Sequence, residues 1–183
     1  LAAHGGCPPL LAYDTPSTSS VRRESCRAFN EAVIGFVRSQ KSELVFLVGR
    51  WPREILGVEN GREGLFYDPD EPVAVSDRSA QVAAALDETL TQLWAAGAIP
   101  VLVMDVPEPG YDVPAALARA ALYGRTLNVN PPRARVDGRQ MLERRVLVTA
   151  AARHNGLIVD PTPAFCNELE CAAARDGIPL YAD

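Results

Sequence analysis

An α/β fold built on a parallel sheet is what this sequence predicts, and three observations predict it. Short apolar runs at 44–48, 99–104 and 157–159 are continuous rather than alternating, as in strands covered on both faces. Longer stretches before and between them carry apolar residues at helical spacing. The resulting order of helix, strand, loop, helix, strand, helices, strand implies right-handed crossovers between parallel neighbours.

The first helix is expected over 26–41, with Phe29, Val33, Phe36 and Val37 on one face. The second spans 78–96, where Val82, Leu86, Leu90, Leu93 and Trp94 recur at three- and four-residue intervals. Ser76 and Asp77 are its cap candidates and Gly97 its stop. A short helix starts near Pro114, and a long one runs from about Asp137 to Asn155 with Gly156 as its stop. Residues 52–77 show no sustained period, and a connection of that length is commonly functional or holds small elements of its own. Residues 128–135 are a proline-marked break.

With 183 residues the chain is expected to form a single domain over 1–183. No apolar run approaches the ~20 residues that cross a bilayer, so no membrane span is expected within it. A net charge of -5, from 18 basic and 23 acidic residues, argues against a duplex nucleic-acid partner, which needs clustered positive charge. Neither a basic n-region nor an apolar h-region follows Leu1, so no signal peptide is read and the sequence is expected to be a piece of something longer. Cys7, Cys26, Cys166 and Cys171 fit either a disulfide framework, with three possible connectivities, or four reduced core thiols. C-x-x-C and zinc-type spacings are missing, as is a phosphate-cradling glycine loop after any predicted strand, so neither metal nor cofactor is expected.

An open parallel sheet binds ligands outside the carboxyl ends of its strands. Gly49, Arg50 and Trp51 follow the first strand, Asp105 to Glu108 the second, and Asp160 and Pro161 the third. Arg50 and Trp51 in such a place suit an anion or a sugar ring. The plainer alternative is an arginine paired to a carboxylate and a tryptophan packed under the following loop.

Several segments resemble one family. They are His4-Gly5-Gly6-Cys7-Pro8-Pro9-Leu10, Cys26-x-x-Phe29-Asn30, Val48-Gly49-Arg50-Trp51, the run from Val106 to Pro114, Asp160-Pro161 with Cys166-x4-Cys171, and Gly177-x-Pro179-Leu180-Tyr181-x-Asp183. In this order they resemble the SGNH domain that follows the membrane acyltransferase-3 domain of bacterial O-acetyltransferases. The resemblance implies a three-layer, flavodoxin-like SGNH hydrolase fold, here lacking its first strand and last helix. It also implies Ser-His-Asp chemistry on acyl esters, by O-acetyl transfer or hydrolysis, of a surface glycan such as lipopolysaccharide O-antigen. The partners implied are that acylated glycan and the acyltransferase-3 domain of the same chain. The place implied is periplasmic or otherwise extracytoplasmic, tethered to the inner membrane.

By the same resemblance Asp183 opens the family's Asp-x-x-His block and is the triad acid, while the Gly-Asp-Ser-His block and the base lie in flanking polypeptide. Gly5 or Gly6 matches an oxyanion glycine. Gly49-Arg50-Trp51 stands where the superfamily has Gly-x-Asn, making Arg50 the candidate substrate or oxyanion contact. The cysteines become the disulfides Cys7–Cys26 and Cys166–Cys171, as suits an oxidising compartment. No serine among Ser17, Ser19, Ser20, Ser25, Ser76 and Ser79 is read as a nucleophile, and neither His4 nor His154 as a base. The alternative is a catalytically inactive glycan-binding module of the same fold, with Arg50, Trp51 and Tyr111 as its platform.

Overall fold

A computed structural model describes residues 2–14, 19–56, 58–59, 62–63 and 75–180. In chain order the elements are α1 (Ser20–Gln40), β1 (Leu44–Val48), α2 (Trp51–Leu56), β2 (Val58–Glu59), β3 (Arg62–Glu63), α3 (Val75–Ala95), β4 (Ile99–Val103), α4 (Val113–Leu122), α5 (Arg133–Arg153), β5 (Leu157–Val159), α6 (Thr162–Phe165), β6 (Ala174–Arg175) and β7 (Ile178–Pro179). Strands β1, β4 and β5 form one parallel sheet in that order, so the predicted α/β class and the predicted strands stand. Two small antiparallel pairs, β2 with β3 and β6 with β7, lie outside it.

The long helices begin earlier than their periodicity suggests: α1 at Ser20, α3 at Val75 and α5 at Arg133. Their ends follow backbone chemistry. Gly97, at φ +85, closes α3, with the Ala98 N–H returning to the Leu93 carbonyl. After α5 the left-handed position falls on Asn155, at φ +47, one residue before the predicted stop, and the Gly156 N–H bonds back to Ala151. The buried stripe of α1 is Cys26, Asn30, Ile34 and Val37, while Phe36 is exposed. The register is therefore shifted from the predicted face: Asn30, a polar residue that pattern reading passes over, holds its centre by donating to the Pro8 and Leu10 carbonyls.

The core lies against one face of the sheet. Val45, Leu47, Leu102 and Ile158 point into it and meet Ile34 and Val37 of α1, Leu86, Leu90 and Leu93 of α3, and Leu147 and Ala150 of α5. Handedness explains this placement. Each step from β1 to β4 to β5 moves the same way across the sheet, so right-handed crossovers put α3 and α5 on the same side, and α1, which precedes β1, packs there as well through Ile34 and Val37. The opposite face carries Leu44, Phe46, Val48, Ile99, Leu157 and Val159, all exposed.

Residues 52–77, a loop by sequence, hold α2, the β2–β3 pair and the first turn of α3. Two disulfides are formed, Cys7–Cys26 and Cys166–Cys171, and no described cysteine is free. The first fastens the segment before α1 to that helix. The second closes a loop whose Cys171 N–H and Leu169 carbonyl bond to Pro131 and Arg133 at the head of α5.

Candidate functional site

Because the three strands are parallel, their carboxyl ends share one edge of the sheet, and Gly49-Arg50, Met104-Asp105 and Asp160 follow them there. Arg50 is exposed. Gly49 packs where a side chain would crowd: an added Cβ would lie 3.3 Å from Pro9 Cδ and from two ring carbons of Trp51. Pro9 and the end of β1 are thus neighbours.

Trp51 has no exposed surface with which to stack on a sugar. It starts α2, is wholly buried, and donates its indole N–H to the Val103 carbonyl at 2.8 Å, tying the end of β1 to the end of β4. The plainer of the two sequence alternatives describes its position. Tyr111 is half-buried and donates its hydroxyl to the Val129 carbonyl.

Gly5 and Gly6 are exposed in a turn closed by the Cys7 N–H donating to the His4 carbonyl. Gly6 sits at φ +75, and an added Cβ would meet the Arg22 Nη2 at 2.2 Å. That guanidinium donates to the Gly5 carbonyl at 2.9 Å. Neither glycine N–H donates a hydrogen bond among the described residues. His4 lies over the edge of Phe29, with Nε2 3.0 Å from Ser25 Oγ and Nδ1 3.3 Å from Cys7 Sγ. Its second nitrogen thus faces sulfur rather than the carboxylate that orients a catalytic imidazole. His154 pairs instead with Asp87 at 3.0 Å, beneath the end of α5. Asp183 lies outside the described residues.

The strand ends also gather a carboxylate cluster. Glu143 of α5, 1% exposed, accepts the Asp105 N–H at 2.9 Å. Gln140 donates to the Val106 carbonyl at 3.0 Å, and Arg139 pairs with buried Glu108 at 2.6 Å. One turn of α5 therefore fixes the backbone that leaves β4. Burial is the main force pushing the Asp105 carboxyl up to about 7, with the Glu108 charge adding to it while the Val106 N–H and Arg50 pull the other way. Burial likewise pushes Glu143 up to about 7 against the Asp105 N–H, with Asp105 and Glu108 adding repulsion. Asp105 Oδ2, Gln140 Oε1 and Glu143 Oε2 are buried acceptors without a hydrogen-bond partner among the described residues. A proton retained on one carboxyl supplies a donor that this cluster otherwise lacks.

Asp160 behaves oppositely. Burial raises it, but the Arg144 and Thr162 side chains and the Thr162 N–H outweigh burial and hold its carboxyl below the usual range. Sequence reading placed Asp105 and Asp160 at the strand ends but missed Glu143, Gln140 and Arg144. A signal existed: Val136, Gln140, Glu143, Leu147 and Ala150 recur at the spacing of a buried stripe, so two polar residues stand where packing expects apolar ones.

Fold and site together define an α/β domain with its polar machinery at the carboxyl edge of a parallel sheet and its strand-end loops stapled by disulfides. The chain belongs to the SGNH domain family, in the form fused to AT3 domains: the family model matches residues 1–183. No curated protein and no solved structure matches it. It is therefore an acyltransferase-associated SGNH module, its AT3 membrane domain belonging to the full-length chain. None of its described helices is long and apolar enough to cross a membrane. Two disulfides accord with an extracytoplasmic setting.

Proposed function

We propose that residues 1–183 form the body of an extracytoplasmic, inner-membrane-tethered domain that acts on acyl esters of a surface glycan such as lipopolysaccharide O-antigen, by O-acetyl transfer or hydrolysis. In the intact chain a serine attacks the acyl carbonyl, a histidine takes its proton, and Asp183 orients the imidazole. The serine and histidine come from polypeptide flanking these residues. Gly5 or Gly6 offers an N–H to the oxyanion, and Arg50 contacts the oxyanion or the substrate.

The observation that carries the reading is the family match over the whole chain, taken with the packing of Pro9 against Gly49. That contact brings the glycine turn to the carboxyl end of β1. The N–H groups of Gly5 and Gly6, and the outer edge of β1, where a further strand can pair, have no hydrogen-bond partner among the described residues, and this supports it.

The test uses the full-length protein in membranes, with a fluorophosphonate probe and a small acetyl ester. The expected result is labelling of one serine outside residues 1–183 and turnover that falls about 10³- to 10⁴-fold in Asp183→Asn. No labelling with no turnover overturns the reading, as does labelling confined to a serine such as Ser25 within these residues.

A further inference from the structure

We infer that Asp105 and Glu143 are positioning residues for Arg50. One proton held between their carboxyls governs how strongly Asp105 competes with an incoming anion for the Arg50 guanidinium at the carboxyl edge of the sheet. The inference rests on the proposed reading in taking that anion to be the oxyanion of the ester.

Strand register sets the stage. Val48 of β1 pairs with Val103 of β4, and Arg50 and Asp105 each stand two residues further on. They therefore leave adjoining strands at one level, at a strand spacing of ~4.8 Å. Arg50 is exposed, and its charge is near enough to pull the Asp105 carboxyl down.

Beneath that edge the charges are matched unevenly. Glu108 has Arg139 at 2.6 Å and Asp160 has Arg144 at 2.7 Å, whereas Asp105 and Glu143 form no ion pair among the described residues. Glu143 Oε1 accepts the Asp105 N–H at 2.9 Å, and Asp105 Oδ1 accepts the Val106 N–H at 3.0 Å. Their second oxygens, Asp105 Oδ2 and Glu143 Oε2, are buried without a partner, beside the equally unpartnered Oε1 of Gln140. Two buried carboxyls in that condition retain a proton rather than both ionise. Burial, the largest influence on each, pushes both up to about 7, with repulsion from Glu108 adding to each and Arg50 and Arg144 opposing it. As pH rises through that range the pair loses its proton, and the step belongs to the pair rather than to either carboxyl. Asp105 then gains charge and draws on the guanidinium that an oxyanion would otherwise engage.

The test uses the full-length protein in membranes and reads Arg50 directly. Phenylglyoxal modification of Arg50 is followed by mass spectrometry from pH 5 to pH 9, with exposed Arg125 as the internal reference. In the wild type the ratio of Arg50 to Arg125 modification should fall about threefold as pH passes 7, the scale of an exposed ion pair. Asp105→Asn keeps an acceptor for the Val106 N–H but does not ionise, and should abolish the fall. Glu143→Gln removes the charge that repels that of Asp105 and supplies a donor, and should move the fall about 1 pH unit lower. On a neutral acetyl ester, kcat/KM should carry the same three patterns as a descending alkaline limb. A merely structural role would move both variants alike. A wild-type ratio that does not change with pH overturns the inference, and so do two variants that shift it in the same direction. The predicted ratios in a protein with no turnover and no probe labelling would defeat the ester chemistry and leave the control of Arg50 standing. Turnover with a ratio that ignores pH would do the reverse.

Discussion

Replacing Glu143 with glutamine should stabilise the domain in a pH-dependent way. In the native protein Glu143 is pushed up to about 7, from 4.5 when free. Between roughly pH 4.5 and 7 the folded state thus binds more protons than the unfolded state, and stability falls as pH rises through that window and levels off above it. A shift of this size corresponds to about 3 kcal/mol, and since Asp105 is raised to about 7 in the same cluster, the two contributions belong to the pair rather than adding. The amide of Glu143→Gln still accepts the Asp105 N–H, brings a donor among acceptors that lack one, and carries no charge to bury. Urea unfolding of the disulfide-intact domain, followed by tryptophan fluorescence, should show a gain of about 2 to 3 kcal/mol at pH 8 and nearly none at pH 4.5. An equal gain at both values, or a loss at pH 8, would refute the account of a proton held in the cluster.

Gly6→Ala should cost about 1 kcal/mol in the same unfolding assay, because alanine must adopt the left-handed φ of +75, while the Arg22 Nη2 that its Cβ would meet is the far end of a flexible side chain and can swing aside. Asn30→Ala removes the donor to two carbonyls at the centre of the α1 stripe, and a loss of about 2 to 3 kcal/mol is expected, with faster proteolysis before Leu11. Thiol titration of denatured, unreduced protein should find no free cysteine, and reduction of Cys7–Cys26, which spans 19 residues, should cost about 3 kcal/mol on the loop-entropy scale.

Strands were the most legible part of the sequence, since β1, β4 and β5 are short apolar runs with no competing helical period. Helix beginnings were not: α1 and α5 start on polar or proline-flanked residues that carry no apolar signal, and α3 starts at Val75, ahead of the Ser76 and Asp77 that read as its cap. The open face shows a deeper limit. Continuous apolarity in Phe46 and Val159 reads as burial on both faces, yet both are exposed, because which face the helices cover is set by topology, which only the strand order reveals. At the site, Arg50, Asp105 and Asp160 could be placed because strand ends are readable. Glu143 and Gln140 could not, because they come from the middle of a helix and meet Asp105 only through tertiary packing 38 and 35 residues away.

Trp51 separates packing from ligand contact most sharply. Beside a strand end, next to an exposed arginine, it has the sequence credentials of a sugar platform, yet its ring is sealed beneath α2 and its N–H is spent on Val103. Trp51→Phe keeps most of the ring volume and removes that donor, leaving a carbonyl at the end of β4 unpaired. The expected cost is about 1 to 3 kcal/mol, against about 3 to 5 for Trp51→Ala, which also opens a cavity. In an ester-turnover assay on the full-length protein, below the unfolding temperature of the variant, KM should then stay near the wild-type value, because the ring touches no substrate. A large rise in KM with unchanged stability would put the indole on the ligand side of the strand ends and return the glycan-platform reading to the front. The geometry argues the other way: the indole is buried and joins the end of β1 to the end of β4, so its part is to hold those two strand ends together.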